Sequence, residues 1–215
     1  MRRHDNLTTE EVFTVIYKQN KWGSQESHSG AGSTLVQTET LRRDLPKLLQ
    51  RYDIKTMLDL PCGDHNWISH IDLPLESYIG GDIVPDLIQT DVIKYSCPSK
   101  RFKVLDLLTS DLPEADLILC RDCLVHLSPK DIAQAISNLQ RSSIKYLLAT
   151  TFTNHKSNRD IRTGGWCPYN LQLHPFYFPE PIELLVENCP EDYPNWLDKS
   201  LGFWEIANLP KLGAN

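Results

Sequence analysis

The chain has few of the features that mark membrane, secreted or nucleic-acid-binding proteins. None of its apolar runs approaches the about 20 residues that span a bilayer. Its six cysteines stand at irregular spacings, unlike the framework of a small disulfide-stabilised protein. A formal net charge of -6 disfavours a nucleic-acid ligand, which normally requires a basic face. We therefore expect a cytoplasmic protein that has no membrane partner and for which a nucleic-acid partner is disfavoured.

What is present is a regular alternation of apolar runs and helical patterns over a length that fits one domain. The apolar runs predict strands at 55–60, 78–83, 103–106, 116–121, 146–152 and 202–207. Between them, helical spacing predicts helices at 85–92 and 129–141 and a short one at 66–70. Strands separated by helices predict an α/β fold with a parallel sheet covered on both faces.

The first 52 residues differ from this alternation, and we predict that they precede a single globular domain at 53–215. A helix is expected at 10–18 and another at 35–52, where Pro46 should kink or divide it. Between them, residues 22–33 are rich in Gly and Ser. This loop is either a flexible linker or a lid over a binding site. The lid is favoured, because long polar loops in compact domains commonly bind ligands.

Two of the apolar runs end in acidic turns. Residues 57–64, Met-Leu-Asp-Leu-Pro-Cys-Gly-Asp, end one run, and residues 78–83, Tyr-Ile-Gly-Gly-Asp-Ile, end the next. In open α/β sheets this arrangement presents a nucleoside cofactor at the carboxyl ends of the strands. Asp106 follows the third run in the same way. Three carboxylates in order at successive strand ends are a far stronger signal than any one of them.

The pattern Asp59-x-x-Cys62-Gly63-Asp64, with Trp67 after it, resembles the class I S-adenosylmethionine-dependent methyltransferases. The resemblance implies a doubly wound, mostly parallel seven-stranded Rossmann-like sheet with an antiparallel edge strand, and S-adenosyl-L-methionine as cofactor. It also implies that Asp59 meets the cofactor's ammonium, Asp82 its ribose hydroxyls and Asp106 its adenine. Asp64 could contact the ammonium or cap a helix, Asp82 could cap the next helix, and Trp67 could be plain core. The candidate cofactor-binding residues are Trp22, Ser33, Thr38, Asp59, Leu60, Pro61, Cys62, Gly63, Asp64, Trp67, Asp82, Ile83, Asp106, Leu107 and Arg121.

The candidates for catalysis follow the fourth and fifth strands, where such a sheet places acceptor-contacting groups. Asp122 is the first candidate for general base or acceptor anchor, and His126 is the second because its unperturbed pKa lies near neutrality. His155 is the third, in the polar segment 153–166, which would suit a hydroxyl-rich ligand. The alternatives are that His126 is a packing residue and that this segment is a surface loop held by its own hydrogen bonds.

The function expected from these residues is transfer of a methyl group to an oxygen or nitrogen of a small polar metabolite, possibly a saccharide. Methylation of a peptide or protein side chain and non-catalytic binding of S-adenosylmethionine are the alternatives. No metal is expected, although Asp122, His126, His155 and Asp160 could converge on a divalent ion. The pair Cys120 and Cys123 has the spacing of a zinc or redox half-site but no second half. The sequence does not predict the oligomeric state.

Overall fold

The computed structural model describes residues 7–189 and 196–213. In this part of the chain, seven strands form one sheet in the order β3-β2-β1-β4-β5-β7-β6. The strands are β1 Thr56–Asp59, β2 Ser77–Asp82, β3 Lys100–Val104, β4 Leu117–Cys120, β5 Tyr146–Phe152, β6 Glu183–Val186 and β7 Lys199–Glu205. Strands β1 to β5 pair in parallel, while β7 pairs antiparallel with both β5 and β6. The carboxyl ends of β1 to β4 therefore meet at one edge of the sheet.

Four α-helices accompany the sheet in the described residues: α1 Thr9–Lys18, α2 Glu39–Arg51, α3 Pro85–Tyr95 and α4 Pro129–Arg141. Local sequence explains where they begin. The Thr8 hydroxyl accepts from the Glu11 N–H, and the Glu11 carboxylate accepts from the Thr8 N–H, which is a capping box at the start of α1. The Ser128 hydroxyl caps α4 by accepting from the Asp131 N–H. Helices α3 and α4 both have proline at the first position, where no hydrogen bond is lost.

The helices cover both faces of the sheet, each by an apolar stripe. On one face α4 buries Ile132, Ile136 and Leu139 against β4 and β5. On the other face α2 buries Leu41, Leu45, Leu48 and Leu49, and α3 adds Leu87 and Ile88. A core on each side explains why the strands are apolar on both faces rather than alternating. The predicted doubly wound, mostly parallel seven-stranded sheet with helices on both faces is confirmed.

Several predicted elements differ from the structure. Helix α2 begins at Glu39 and runs through Pro46 without being divided, because its leucine stripe is buried whole. Strand β3 lies at 100–104 and not at 103–106, since its register is set by pairing with β2. Strand β6 was not predicted at all: it is short, lies at the sheet edge and is only half-buried. The division of the chain at residue 52 remains a prediction, and residues 1–6 of the first segment lie outside the described part.

No helix within the described ranges is long and apolar enough to cross a membrane. All six cysteines fall inside these ranges and are free thiols, including Cys120 and Cys123.

Candidate functional site

A cavity opens at the sheet edge where the parallel strands end. It encloses about 1030 Å³, counting its open mouth. Its floor consists of the turns after β1, β2, β3 and β4, and its roof consists of α1 and the loop of residues 22–33, which we call the covering loop. The lining residues are Thr9, Phe13, Tyr17, Trp22, His28, Ser29, Ser33, Asp59, Leu60, Pro61, Cys62, Gly63, Trp67, Asp82, Ile83, Val84, Leu87, Leu105, Asp106, Leu107, Leu108, Arg121, Asp122, Cys123, His126 and Leu127.

Asp59 is a buried carboxyl group in the cavity wall at the end of β1. Its Oδ2 accepts a 2.6 Å hydrogen bond from the Tyr78 hydroxyl, which in turn lies 3.1 Å from Nδ1 of the buried His65 ring. Since the hydroxyl gives its only hydrogen to Asp59, His65 Nδ1 must be the donor to it. Burial raises the pKa of Asp59 to about 7, although Tyr78 and Arg121 both act to lower it. A cationic group placed beside Asp59 would favour its ionised form.

Asp82 is a second buried carboxyl group, at the end of β2. Its Oδ1 accepts from the Val84 N–H at 3.0 Å and its Oδ2 from the Gly63 N–H at 3.3 Å. These bonds tie the turn after β1 to the end of β2, and they lie ahead of the first turn of α3. Burial raises the pKa of Asp82 to about 6, against the lowering effect of the backbone donors. The sheet thus brings two acidic groups with little access to water into one cavity.

Asp106 shapes the turn after β3. Its Oδ1 accepts from the Leu108 N–H at 2.9 Å and its Oδ2 from the Thr109 hydroxyl at 2.6 Å. The turn carries Leu105, Leu107 and Leu108 into the cavity lining. An apolar wall with a carboxylate at its border suits a heteroaromatic ring that has an exocyclic amino group.

A buried cluster of charges lies after β4. Asp122 Oδ2 is 2.7 Å from Lys199 Nζ and 3.2 Å from an Arg121 guanidinium nitrogen, while Glu187 accepts from Arg121 at 2.7 Å. Asp122 has φ +50°, and its N–H donates to the Thr150 hydroxyl. A non-glycine residue in this left-handed region is strained, so the cluster and Thr150 hold it there. Burial would raise the pKa of Asp122, but Lys199 and then Arg121 outweigh it and hold that pKa well below its usual range.

His126 is a lining residue of the cavity with one ring nitrogen hydrogen-bonded to the backbone. Its Nδ1 lies 2.7 Å from the Gly165 carbonyl oxygen, and because a carbonyl only accepts, Nδ1 carries the hydrogen. The lone pair of the neutral ring is then on Nε2. The Trp22 ring packs on this imidazole with the ring centres 5.1 Å apart. Burial lowers the pKa of His126, against the effects of Gly165 and Asp122, so the ring is neutral at pH 7. Tautomer and charge fit a proton acceptor.

Most of the residues predicted from the sequence line this cavity. Three of them do not. Thr38 is fully buried and donates its hydroxyl to the Thr34 carbonyl oxygen. Asp64 turns toward the covering loop and binds Ser27, His28 and Ser29. His155 lies outside the cavity, 3.7 Å from Asp198 and stacked on the Trp196 ring.

Sequence reasoning missed the contribution of α1 to the roof and the far side of the charge cluster. Thr9, Phe13 and Tyr17 reach the cavity from α1, a helix whose apolar spacing indicated only packing. Lys199 and Glu187 stand near the ends of β7 and β6, more than 60 residues beyond Asp122 in the chain, and no local motif marks them. A lysine beginning an otherwise apolar strand was the one signal that could have pointed to the cluster.

The groups considered for metal binding do not come together. Among residues 7–189 and 196–213, no three or more His, Cys, Asp or Glu side chains are placed to share an ion. Asp122 is instead paired with two cationic side chains.

No protein-family model and no curated protein sequence matches this chain. Three solved structures of methyltransferases resemble it. Human N-acetylserotonin methyltransferase, in complex with S-adenosylmethionine, is 18% identical over 68% of this chain and 42% of that one, with a TM-score of 0.47. Magnesium protoporphyrin IX methyltransferase from Synechocystis, with bound S-adenosylmethionine, is 14% identical over 74% of this chain and 83% of that one, with a TM-score of 0.49. An N-methyltransferase from Bradyrhizobium japonicum, in complex with S-adenosylhomocysteine, is 15% identical over 64% of this chain and 73% of that one, with a TM-score of 0.47.

The match to this chain covers 42% of the length of the human enzyme.

Proposed function

We propose that this chain is an S-adenosylmethionine-dependent methyltransferase that acts on an oxygen or nitrogen of a small polar metabolite. The observation that carries the proposal is the convergence of Asp59, Asp82 and Asp106, from three successive strand ends, on one largely covered cavity. Each of them stands where the family that the Asp59–Asp64 motif resembles places a cofactor contact.

The residues present fit that cofactor. Asp59 and Asp82 are desolvated acids, which a ligand with an ammonium group and a ribose diol would complement by charge and by two O–H donors. The leucines after β3 offer an apolar wall to the adenine, with Asp106 at its border. The same acidic lining disfavours nucleotides that carry phosphate groups. S-adenosylmethionine would supply an electrophilic methyl group on a sulfonium.

The chain's own contribution to the transfer is positioning, exclusion of water and removal of one proton. Helix α1 and the covering loop close the cavity, which shields the reacting atoms and orients the two substrates. His126 Nε2 would take the proton of an acceptor hydroxyl as the acceptor oxygen bonds to the methyl carbon, the bond from that carbon to sulfur breaks and S-adenosylhomocysteine leaves. Asp122 is a weak base because Lys199 and Arg121 stabilise its ionised form. We therefore assign Asp122 a structural role and His126 the role of general base. A general base is needed for an alcohol and not for an amine that arrives unprotonated, so a hydroxyl acceptor is favoured.

The covered cavity favours a small acceptor over a polypeptide. A peptide substrate would need a groove open at both ends, whereas α1 and the covering loop form a roof over this cavity. The polar segment 153–166, considered for saccharide contacts, uses much of its hydrogen-bonding capacity internally: Asn158 donates to the Asn170 and His174 carbonyls, and the Thr163 hydroxyl donates to Asp131. Saccharides therefore remain one class to screen among hydroxyl-bearing metabolites.

The test is calorimetric titration with S-adenosylhomocysteine on the wild type, Asp82→Asn and the exposed control Asp72→Asn. We expect micromolar binding by the wild type and the control, and about 10- to 100-fold weaker binding by Asp82→Asn, since a hydrogen bond to a charged acceptor contributes about 1.5–3 kcal/mol. Acceptors are then screened by mass for the gain of one methyl group. Binding without any turnover would favour the non-catalytic reading, and absence of binding to the wild type would contradict the proposal.

A further inference from the structure

The contacts of Asp64 assign it a task different from that of the other acidic residues at the strand ends. Its Oδ1 accepts from the Ser27 hydroxyl at 2.9 Å and from the Ser29 hydroxyl at 3.2 Å, and its Oδ2 accepts from the His28 N–H at 2.8 Å. In return, the Asp64 N–H donates to the Ser29 hydroxyl at 2.9 Å. One carboxylate thus holds three consecutive residues of the covering loop, and Asp64 itself is absent from the cavity lining.

Gly63, beside Asp64, makes room for the same contact. A Cβ on Gly63 would lie 2.1 Å from the Ser29 Oγ, which no side chain could accommodate without moving the loop. Gly63 also has φ +55°, a conformation that disfavours other residues. The space above this glycine is therefore taken by the covering loop. The tight turn after β1 therefore allows the covering loop to pack closely against it, in addition to allowing a ligand to approach the backbone.

The far end of the covering loop touches the charge cluster. Arg121 donates to the Gly32 carbonyl oxygen at 2.8 Å, and a Cβ on Gly32 would lie 3.3 Å from Asp122 Oδ2. On either side of the two attachments in the chain, Glu26 and the Ser33 carbonyl both accept from the Asn66 amide. The loop therefore spans the cavity from the turn after β1 to the turn after β4, and it supplies His28, Ser29 and Ser33 to the lining.

We propose that Asp64 is a positioning residue, which strengthens binding of the S-adenosyl ligand by fixing the covering loop and not by touching the ligand. This rests on the proposed function. A carboxylate that accepts several hydrogen bonds from one loop lowers the loop's freedom before any ligand arrives. The ligand then pays less of the ordering cost on binding. Loss of Asp64 should therefore loosen the loop in the ligand-free protein and weaken binding together.

The test combines hydrogen exchange, read by mass spectrometry on the ligand-free protein, with titration of S-adenosylhomocysteine. The variants are Asp64→Ala, the single variant Ser27→Ala and the double variant Ser27→Ala/Ser29→Ala, which remove one and both of the hydroxyl contacts and leave the His28 N–H bond, and the exposed control Asp72→Ala. We expect exchange in residues 26–33 to rise at least 10-fold in the first three, with α4 and β5 unchanged, and affinity to fall about 10-fold in all three. Should Asp64→Ala fail to fold, Ser27→Ala decides the matter, because Ser27 contacts Asp64 and does not line the cavity.

Two results would overturn the proposal. Wild-type exchange in the loop of Asp64→Ala together with weaker binding would mean that Asp64 contacts the ligand directly. A loosened loop with unchanged affinity would mean that the loop does not act in binding. If the wild type binds no S-adenosylhomocysteine, the proposed function fails and with it the binding part of this proposal, while the exchange data still decide whether Asp64 fixes the loop.

Discussion

Replacing Asp59 by Asn should change how the stability of the ligand-free protein depends on pH. Burial raises the pKa of Asp59 to about 7, whereas an Asp in the unfolded chain has its ordinary pKa of 3.8. Between pH 5 and 6 the folded protein therefore holds one proton at Asp59 that the unfolded chain has lost. Stability contributed by such a group is present at low pH and decreases as the pH rises toward 7.

The slope that follows is about 1.4 kcal/mol per pH unit for one proton. In a domain of about 200 residues, 1 kcal/mol shifts the melting temperature by roughly 2–4 °C, so Asp59 should contribute about 3–6 °C per pH unit in this window. Asn keeps an acceptor for the Tyr78 hydroxyl and removes the proton equilibrium. The variant should therefore lose less stability between pH 5 and 6 than the wild type does.

The assay is thermal denaturation of ligand-free protein in steps of half a pH unit from 5 to 7. Asp82 also has a raised pKa, but it is present in both proteins and cancels in the comparison. The control is Asp44→Asn: hydrogen bonding to Arg43 lowers the pKa of Asp44 to about 2, so its titration lies below the window and its slope should match that of the wild type. Parallel curves for the wild type and Asp59→Asn would refute the reasoning.

Three further predictions concern other parts of the molecule. Gly202→Ala should destabilise the protein by roughly 1–3 kcal/mol in urea denaturation, because the new Cβ would lie 2.0 Å from the Trp204 ring in the middle of β7. A change below about 0.5 kcal/mol would contradict this. A thiol reagent should modify Cys97 before Cys62, because Cys97 is exposed and hydrogen bonding to Ser99 lowers its pKa, whereas burial raises the pKa of Cys62. Peptide mapping that finds Cys62 modified first would contradict this. With an identified hydroxyl acceptor, His126→Gln should lower kcat about 100-fold or more, while its affinity for S-adenosylhomocysteine stays within about 3-fold of the wild-type value. An unchanged kcat would exclude His126 as the base.

The sequence predicts those elements whose signals are local. Helix α4 and strand β5 have the predicted bounds, because proline and a serine cap mark the start of α4 and an uninterrupted apolar run marks β5. The carboxylates at the ends of β1 and β2 were predicted for the same reason: a strand followed by an acidic turn is visible within ten residues. Strand β6 has no such signal, since four half-buried residues at a sheet edge are defined only by pairing with β7.

The residues that the sequence could not place depend on contacts between distant segments. Lys199 reaches Asp122 because β7 inserts between β5 and β6, a strand order that no local pattern states. Asp64 was a candidate ligand contact, and its partners Ser27 and Ser29 lie 37 and 35 residues earlier in the chain. The sequence showed which residues could hold a ligand, but not which of them the covering loop would occupy.

The most direct measurement compares binding of S-adenosylhomocysteine, NAD and ATP to the same ligand-free protein by calorimetry at pH 7.5. All three carry adenosine, so the comparison separates a cavity for an ammonium-bearing nucleoside from a general nucleotide site. The buried acids Asp59 and Asp82 predict micromolar binding of S-adenosylhomocysteine and at least 100-fold weaker binding of the two phosphate-bearing ligands. Comparable binding of NAD or ATP, or no binding of S-adenosylhomocysteine, would contradict the account.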